Sequence, residues 1–323
     1  MLYKLKDIFD LQMGKTPSRN NIEYWNTNDY KWVSIADLTK TDKYIYDTKE
    51  YLSKKAVNES GIKIIPANTV IMSFKLSIGK TAITAEDMYS NEAIMAFHDK
   101  HIVEILPEYI FYLFKYKNWD DGSNKAVMGK TLNKAILSEV EIDICSIEEQ
   151  RKIVNVLDKI MNLISARKKE LSYLDTFTKA RFVELFGDPI INSKGLETKE
   201  LNEVLVLKAG DFTAASDISV EPTEINIYPC YGGNGIRGYV AEYNQEGEYS
   251  LVGRQGALSG NVQYATGKFK NTEHALLVKP IIQMNSIWLN QLLLNLDLKR
   301  YQTGAAQPGL SVKNLQEIHI IMV

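Results

Sequence analysis

Cysteine is almost missing. Cys145 and Cys230 lie far apart in the 323 residues, without the paired spacing of a zinc site or a disulfide framework, so both read as buried small hydrophobes. The histidines, His98, His101, His274 and His319, show no HExxH spacing and have no cysteine neighbours, which argues against a structural metal. No apolar stretch approaches the roughly 20 residues that cross a bilayer. The opening MLYKLKDIFDLQ lacks the apolar run and small-residue cleavage site of a signal peptide, so no membrane is expected and the cytoplasm is the default compartment. Phosphate-cradling glycine patterns (GxxxxGK[ST], GxGxxG) and a GxSxG elbow are absent, as are closely spaced carboxylates for a nuclease metal. The Asn/Asp-Pro-Pro-aromatic motif of amine methylation is absent too, its nearest approach being DPII at Asp188. No catalytic residue and no cofactor of its own is therefore expected in this chain. An excess of positive charge is also lacking: with a net charge of −2, the surface as a whole is not a nucleic-acid coat, and any such face must be local.

What is present is ordinary globular material, 45% hydrophobic and 24% charged, in a length that suits two domains. The clearest element runs from Ser146 to Gly187, about forty residues without glycine or proline until the end. Ser146 and Glu149 have capping-box spacing, and Gly187 with Pro189 supplies the stop, which predicts a single helix about 60 Å long at 1.5 Å per residue. Apolar residues recur at seven-residue steps, Ile153, Ile160 and Leu174 on one line and Leu157, Ile164 and Leu171 on the next. That stripe wants a partner helix. An amphipathic core helix would carry a similar stripe, but the length favours a spacer or coiled-coil arm.

The segments on either side of this helix resemble each other. LKDIFDLQMGKTP (5–17) aligns with LNEVLVLKAGDFT (201–213), placing Gly14 on Gly210. SNEAIMAF (90–97) aligns with NTEHALLV (271–278), placing Glu92 on Glu273, and LSEVEIDI (137–144) aligns with LQEIHIIM (315–322). Order is kept while the offset shrinks, as in a duplicated domain whose loops have diverged. Short β-like runs at 30–35, 69–73, 93–97 and 249–252, separated by glycine-rich turns, with one helical stretch per unit at 106–119 and 285–301, predict mainly-β α+β domains. The organisation that follows is a first domain over 1–145, a spacer helix over 146–188 and a second domain over 189–323.

Loops carry the residues suited to reading bases. Arg254 and Gln255 stand in the glycine-flanked LVGRQGALSGNV, where arginine can grip guanine and glutamine adenine with two hydrogen bonds each. SFKLSIGKTA occupies the equivalent place in the first unit, offering Lys75, Lys80 and Thr81 to phosphates, guanine or a thymine methyl. Asn234 and Arg237 in YGGNGIRGY, and Lys130 and Gln307 near the close of each unit, complete the candidate DNA-binding set. Each could equally be a solvated surface residue; the matched position of the loops is what singles them out.

A long central helix, duplicated flanks and missing catalytic motifs together resemble the specificity subunit of type I restriction-modification enzymes. IEEQRKIVNVLDKIMNLISARKKELSYLDTFTKARFVELFGDP looks like that family's spacer, and YPCYGGNGIRGYV and LVGRQGALSGNV are similar to parts of its target-recognition domains. The resemblance covers nearly the whole chain. It implies a non-catalytic protein that reads a split, asymmetric site in double-stranded DNA, one domain per half-site, with the helix setting their separation. It also implies two methyltransferase subunits as partners, which carry S-adenosylmethionine and the chemistry, and recruitment of restriction subunits. In the family a second spacer helix follows the second domain and packs as an antiparallel coiled coil, whereas this sequence ends at Val323. The expectation is that Ile153, Leu157, Ile160, Ile164, Leu171 and Leu174 form a partner face, exposed or covered through self-association or methyltransferase binding. Two other readings stand beside this one: a stand-alone DNA-modifying enzyme with an unrecognised site, and a coiled-coil adaptor that never touches DNA.

Overall fold

A computed structural model describes residues 1–25, 27–75, 77–119, 132–256, 258–304 and 309–323. The chain divides into two compact units, Met1–Ala166 and Arg167–Val323, and the division falls within the long helix. Unit 1 opens with β1 (Leu2–Lys4), the single turn α1 (Leu5–Ile8) and β2 (Phe9–Met13). It continues with β3 (Tyr30–Val33), α2 (Ile35–Lys40), β4 (Tyr44–Ile45), β5 (Glu50–Leu52), α3 (Lys54–Ser60), β6 (Val70–Ser73), β7 (Thr81–Thr84), β8 (Tyr89–Ser90) and β9 (Ile94–Asp99). It closes with α4 (Pro107–Tyr116), α5 (Lys134–Ser138), β10 (Glu141–Asp143) and the first part of α6 (Ile147–Phe186). One sheet has the order β2-β9-β6-β7-β4, another β5-β3-β8, and β1 pairs antiparallel with β10. The run at 30–35 stops as a strand at Val33 because Ser34 and Asp37 cap each other's backbone and start α2.

Unit 2 repeats the plan. After the end of α6 come β11 (Thr198–Glu200), α7 (Leu201–Val204), β12 (Leu205–Ala209), β13 (Tyr228–Gly232), β14 (Gly235–Val240), β15 (Gln245–Gly253), β16 (Val262–Asn271) and β17 (Ala275–Pro280). They are followed by α8 (Ser286–Asn295), α9 (Val312–Gln316) and β18 (His319–Ile321). The sheet order is β12-β17-β15-β16-β13-β14, with β11 paired antiparallel with β18. The helical stretch at 285–301 is shorter than its apolar pattern: α8 ends at Asn295, Asp297 takes a left-handed conformation at φ 47°, and a 3-10 turn follows over Leu298–Tyr301.

Strand register establishes the duplication residue by residue. Leu11 pairs with Phe97 as Leu207 pairs with Val278, and Ser73 lies opposite Ile94 as Gly253 lies opposite Ala275. β13 runs parallel to the end of β16 as β3 runs parallel to β8, and β14 and β5 are their antiparallel neighbours. The difference is one of continuity: the long β16 of unit 2 corresponds to β7 and β8 of unit 1, which residues 85–88 interrupt. Gly14 and Gly210 show why the aligned glycines recur. A Cβ at Gly14 would stand 2.2 Å from the Asn91 carbonyl oxygen, and one at Gly210 2.1 Å from that of Asn271. Backbone carbonyls crowd both positions, those of Ser90 and Asn91 at Gly14 and those of Asn271 and Thr272 at Gly210, and backbone cannot rotate aside as a side chain can.

α6 is continuous over the forty residues from Ile147 to Phe186. The Ser146 hydroxyl accepts from the Glu149 amide at 3.3 Å, and Gly187 closes the helix at φ 82° with its amide on the Val183 carbonyl. The apolar stripe is divided among three environments, which corrects the expectation of one free face. Ile153 and Leu157 are partly buried against the core of unit 1 together with Val154 and Met161. Ile160, Ile164, Leu171 and Leu174 are 44–62% exposed. Near the C-terminal end, Phe182 is buried in the core of unit 2 and Phe186 meets the Trp288 ring edge-on at 6.3 Å. The anchor of the first turns is polar. Gln150 is fully buried, accepts from the Leu106 amide at 2.9 Å, and donates to the carbonyls of Glu104 and Cys145 at 2.9 and 3.0 Å. Two turns on, Asp158 accepts from Lys43 Nζ at 2.5 Å and from the Tyr112 hydroxyl. Burial of Asp158 alone would raise its pKa; Lys43 and Tyr112 outweigh that and hold it below the usual carboxylate range. Among the described residues, no helix is long and apolar enough to cross a membrane.

Candidate nucleic-acid interface

The loop after β6 and the loop after β15 are built alike. In unit 1 the Ser73 amide donates to the Lys80 carbonyl, the Gly79 amide to Ser73, and the Phe74 amide to Ala93. In unit 2 the Gly253 amide donates to Asn261, the Gly260 amide to Gly253, and the Arg254 amide to His274. These bonds fix the correspondences: Phe74 with Arg254, Lys75 with Gln255, Gly79 with Gly260, Lys80 with Asn261, and Ala93 with His274. Each loop leans on the segment that follows the unit's main helix, Gly79 against the Trp119 indole and Gly260 against the main chain of Leu298 and Lys299.

The loop of unit 2 gathers most of its candidates at one end of the sheet. Asn234 is exposed at the β13–β14 turn, where Gly235 takes φ 98°, and its Oδ1 accepts from Asn261 Nδ2 at 3.0 Å. Gly233, beside it, is close enough that a Cβ there would meet the His274 carbonyl and Gly253 at 3.2 and 3.4 Å. Gln255 is exposed, and its Oε1 stands 3.3 Å from His274 Nδ1. His274 Nε2 in turn lies 3.1 Å from Glu273 Oε1. Arg254 is half-buried at the loop base, and its carbonyl accepts from the Leu310 amide. Arg237 is exposed on β14 with its stem against Gly232. On the neighbouring β13, burial pushes the Cys230 thiol up, partly offset by Arg237 and Lys270, so this buried cysteine is a neutral packing group. Cys145 is only partly buried.

In unit 1, Lys75 lies half-buried with its ammonium 5.2 Å from the centroid of the Phe74 ring. Lys80 donates to Thr39 Oγ1 at 2.5 Å, so its charge is directed by a neighbour from α2. Thr81 departs from the sequence expectation. It is buried in β7 and its hydroxyl donates to the Gly79 carbonyl at 3.0 Å, leaving nothing to offer a phosphate or a thymine methyl. Lys130 and Gln307 lie outside the described residues. A cleft of unit 1 is lined by residues such as Asn68, His98, Glu104 and Arg151, and none of the loop residues borders it. Among the described residues, no group of three or more His, Cys, Asp and Glu side chains is placed to hold a metal ion.

Sequence reasoning missed the residues that support the loop tips. Glu92 and Glu273 occupy the same place, and the repeat already aligned them, but their partners differ. In unit 1 the Thr16 hydroxyl donates to Glu92; in unit 2 the residue aligned with Thr16 is Phe212, which has no hydroxyl, and the carboxylate faces His274. Thr39, Asn261 and His274 carry no motif and were found only through tertiary contact.

Residues 1–173 match the family model described as the type I restriction modification DNA specificity domain. The chain is 32% identical over 332 residues to the EcoprrI specificity subunit of Escherichia coli, covering 98% of this chain and 82% of that relative. With the MjaIX specificity subunit of Methanocaldococcus jannaschii it shares 31% over 242 residues, 69% of this chain and 55% of that one. Among solved structures, the S subunit of a type I restriction-modification system from M. genitalium has the same fold at a TM-score of 0.56 and 17% identity, covering all of this chain and 84% of that one. The chain thus belongs to the type I restriction-modification specificity subunits, the non-catalytic members that recognise the DNA sequence.

Proposed function

We propose that this subunit reads a split, asymmetric site in double-stranded DNA, with the loop after β6 addressing one half and the loop after β15 the other. The observation that carries the reading is a shared loop frame with unlike tips. Identical main-chain closures present Lys75 and Lys80 in unit 1 and Arg254 and Gln255, beside Asn234 and Arg237, in unit 2. A fixed scaffold with changed tips is how related domains acquire different base preferences. The chain directs methyltransferase subunits, two per complex, to that site, and restriction subunits where they join. S-adenosylmethionine belongs to the methyltransferase, since this chain's role is recognition. The exposed stretch of α6 bearing Ile160, Ile164, Leu171 and Leu174 is the face for a partner helix, whether from a methyltransferase or from a second copy. No observation favours a stand-alone enzyme or an adaptor that avoids DNA.

The test is to express the chain with its methyltransferase and map methylated bases across the genome. Two unlike half-sites separated by a fixed, unread gap are expected. A continuous motif, or one with identical halves, overturns the reading.

A further inference from the structure

We infer that His274 is a positioning residue for base selection: braced by Glu273, it holds the amide of Gln255 so that only one end of that amide is left for a base. This rests on the proposed reading of the loop after β15 and adds to it the class of base atom contacted. The geometry is a three-residue relay, Glu273 Oε1 to His274 Nε2 at 3.1 Å and His274 Nδ1 to Gln255 Oε1 at 3.3 Å. Both ring nitrogens face oxygens, and a ring carrying a hydrogen on each would donate to both, with the Glu273 carboxylate beside it. The ring itself is held by its own backbone, because the His274 carbonyl accepts the Arg254 amide at 3.0 Å.

The consequence follows from amide chemistry. A free glutamine offers a base both a carbonyl acceptor and an NH₂ donor, the pair that matches adenine. In Gln255 the carbonyl oxygen faces the ring at 3.3 Å, and with that end held only the NH₂ remains for a base. A lone donor suits acceptor atoms of the major groove, namely a purine N7, guanine O6 or thymine O4, and does not suit the exposed amine of cytosine. The other repeat supplies the contrast. At the position of His274 it has Ala93, and at that of Gln255 it has Lys75, which stands over the Phe74 ring. Unit 1 therefore places a donor without needing a brace, while unit 2 makes one from an ambivalent amide.

The experiment assembles the full chain with its methyltransferase and sequences the products of methylating a DNA library randomised across both half-sites. For His274→Ala, discrimination at one position of the unit 2 half-site should fall by about tenfold, the lower part of the range for a single base contact, with a gain for adenine. The half-site of unit 1 should be unchanged. His274→Asn, whose amide NH₂ can take the place of Nδ1–H, should restore most of the preference, which a loss of folding would not allow. If His274→Ala keeps the original preference while Gln255→Ala alters it, the relay is overturned and the reading of the loop survives. If Gln255→Ala also leaves every position unchanged, the loop reading itself falls for this residue.

Discussion

The two recognition loops differ in how their tips are held, although their frames are closed by the same main-chain hydrogen bonds. In unit 1 the supports are short and separate: Thr16 on Glu92, Thr39 on Lys80, and the Phe74 ring under Lys75. In unit 2 they are linked through Glu273, His274 and Gln255, with Asn261 on Asn234 beside them. The lesson is that duplication preserved what the backbone requires and released what the side chains do. A glycine wedged between carbonyls has no substitute, whereas a polar side chain at a loop tip can be supported in many ways.

The sharpest way to break this comparison is at the shared glycines. Gly14→Ala and Gly210→Ala should each destabilise their own unit by about 3 kcal/mol or more, because backbone must shift to admit the methyl group. Chemical denaturation of the two variants would show it, and a substitution tolerated in either unit would mean that the frames are not equivalent. A smaller effect is expected where the anchors of α6 differ. Gln150→Ala removes three hydrogen bonds from buried main-chain groups and should cost unit 1 about 2 kcal/mol. An unchanged denaturation midpoint would show that water replaces the amide.

At the reading loops the expected difference is in selectivity. Arg254→Ala should lose about 1–3 kcal/mol of discrimination at one position of one half-site, and Lys75→Ala should affect the other half-site only. Methylation of a randomised library by the assembled complex separates the two; if either variant disturbs both halves, the assignment of one loop to one half fails. The smallest effect is electrostatic. Because Lys43 and Tyr112 overcome burial and keep Asp158 below the usual carboxylate range, its contribution is complete above about pH 4 and lost as the pH falls through the lowered folded value. Stability of the parent chain should therefore decline more steeply than that of Asp158→Asn as the pH falls below about 4. Parallel pH profiles would refute the pairing.

Much of the fold was legible in the sequence because its signals are local. A forty-residue stretch free of glycine and proline, with a serine cap and a glycine stop, carries its helical signals locally, and the aligned Gly14/Gly210 and Glu92/Glu273 pairs were visible as a repeat. The candidate site was legible only in part. Arg254, Gln255 and Asn234 stand together at one end of a sheet, as their glycine-flanked turns suggested. Thr81 looked the same in the sequence, yet it lies in β7, between β6 and β4 in the sheet, where all four residues of the strand are buried.

Sequence alone determined the long helix, the duplicated plan and the absence of catalytic motifs, since each is a run or a pattern legible along the chain. Tertiary structure decided the rest. A seven-residue stripe gives the direction of an apolar face but not its cover, so only packing showed that Ile153 and Leu157 are partly covered by unit 1 while Ile160 and Leu171 face solvent. The contact of His274 with Gln255, nineteen residues apart, exists because the end of β15 meets the start of β17 at one end of the sheet, a closeness set by strand pairing and by no local pattern.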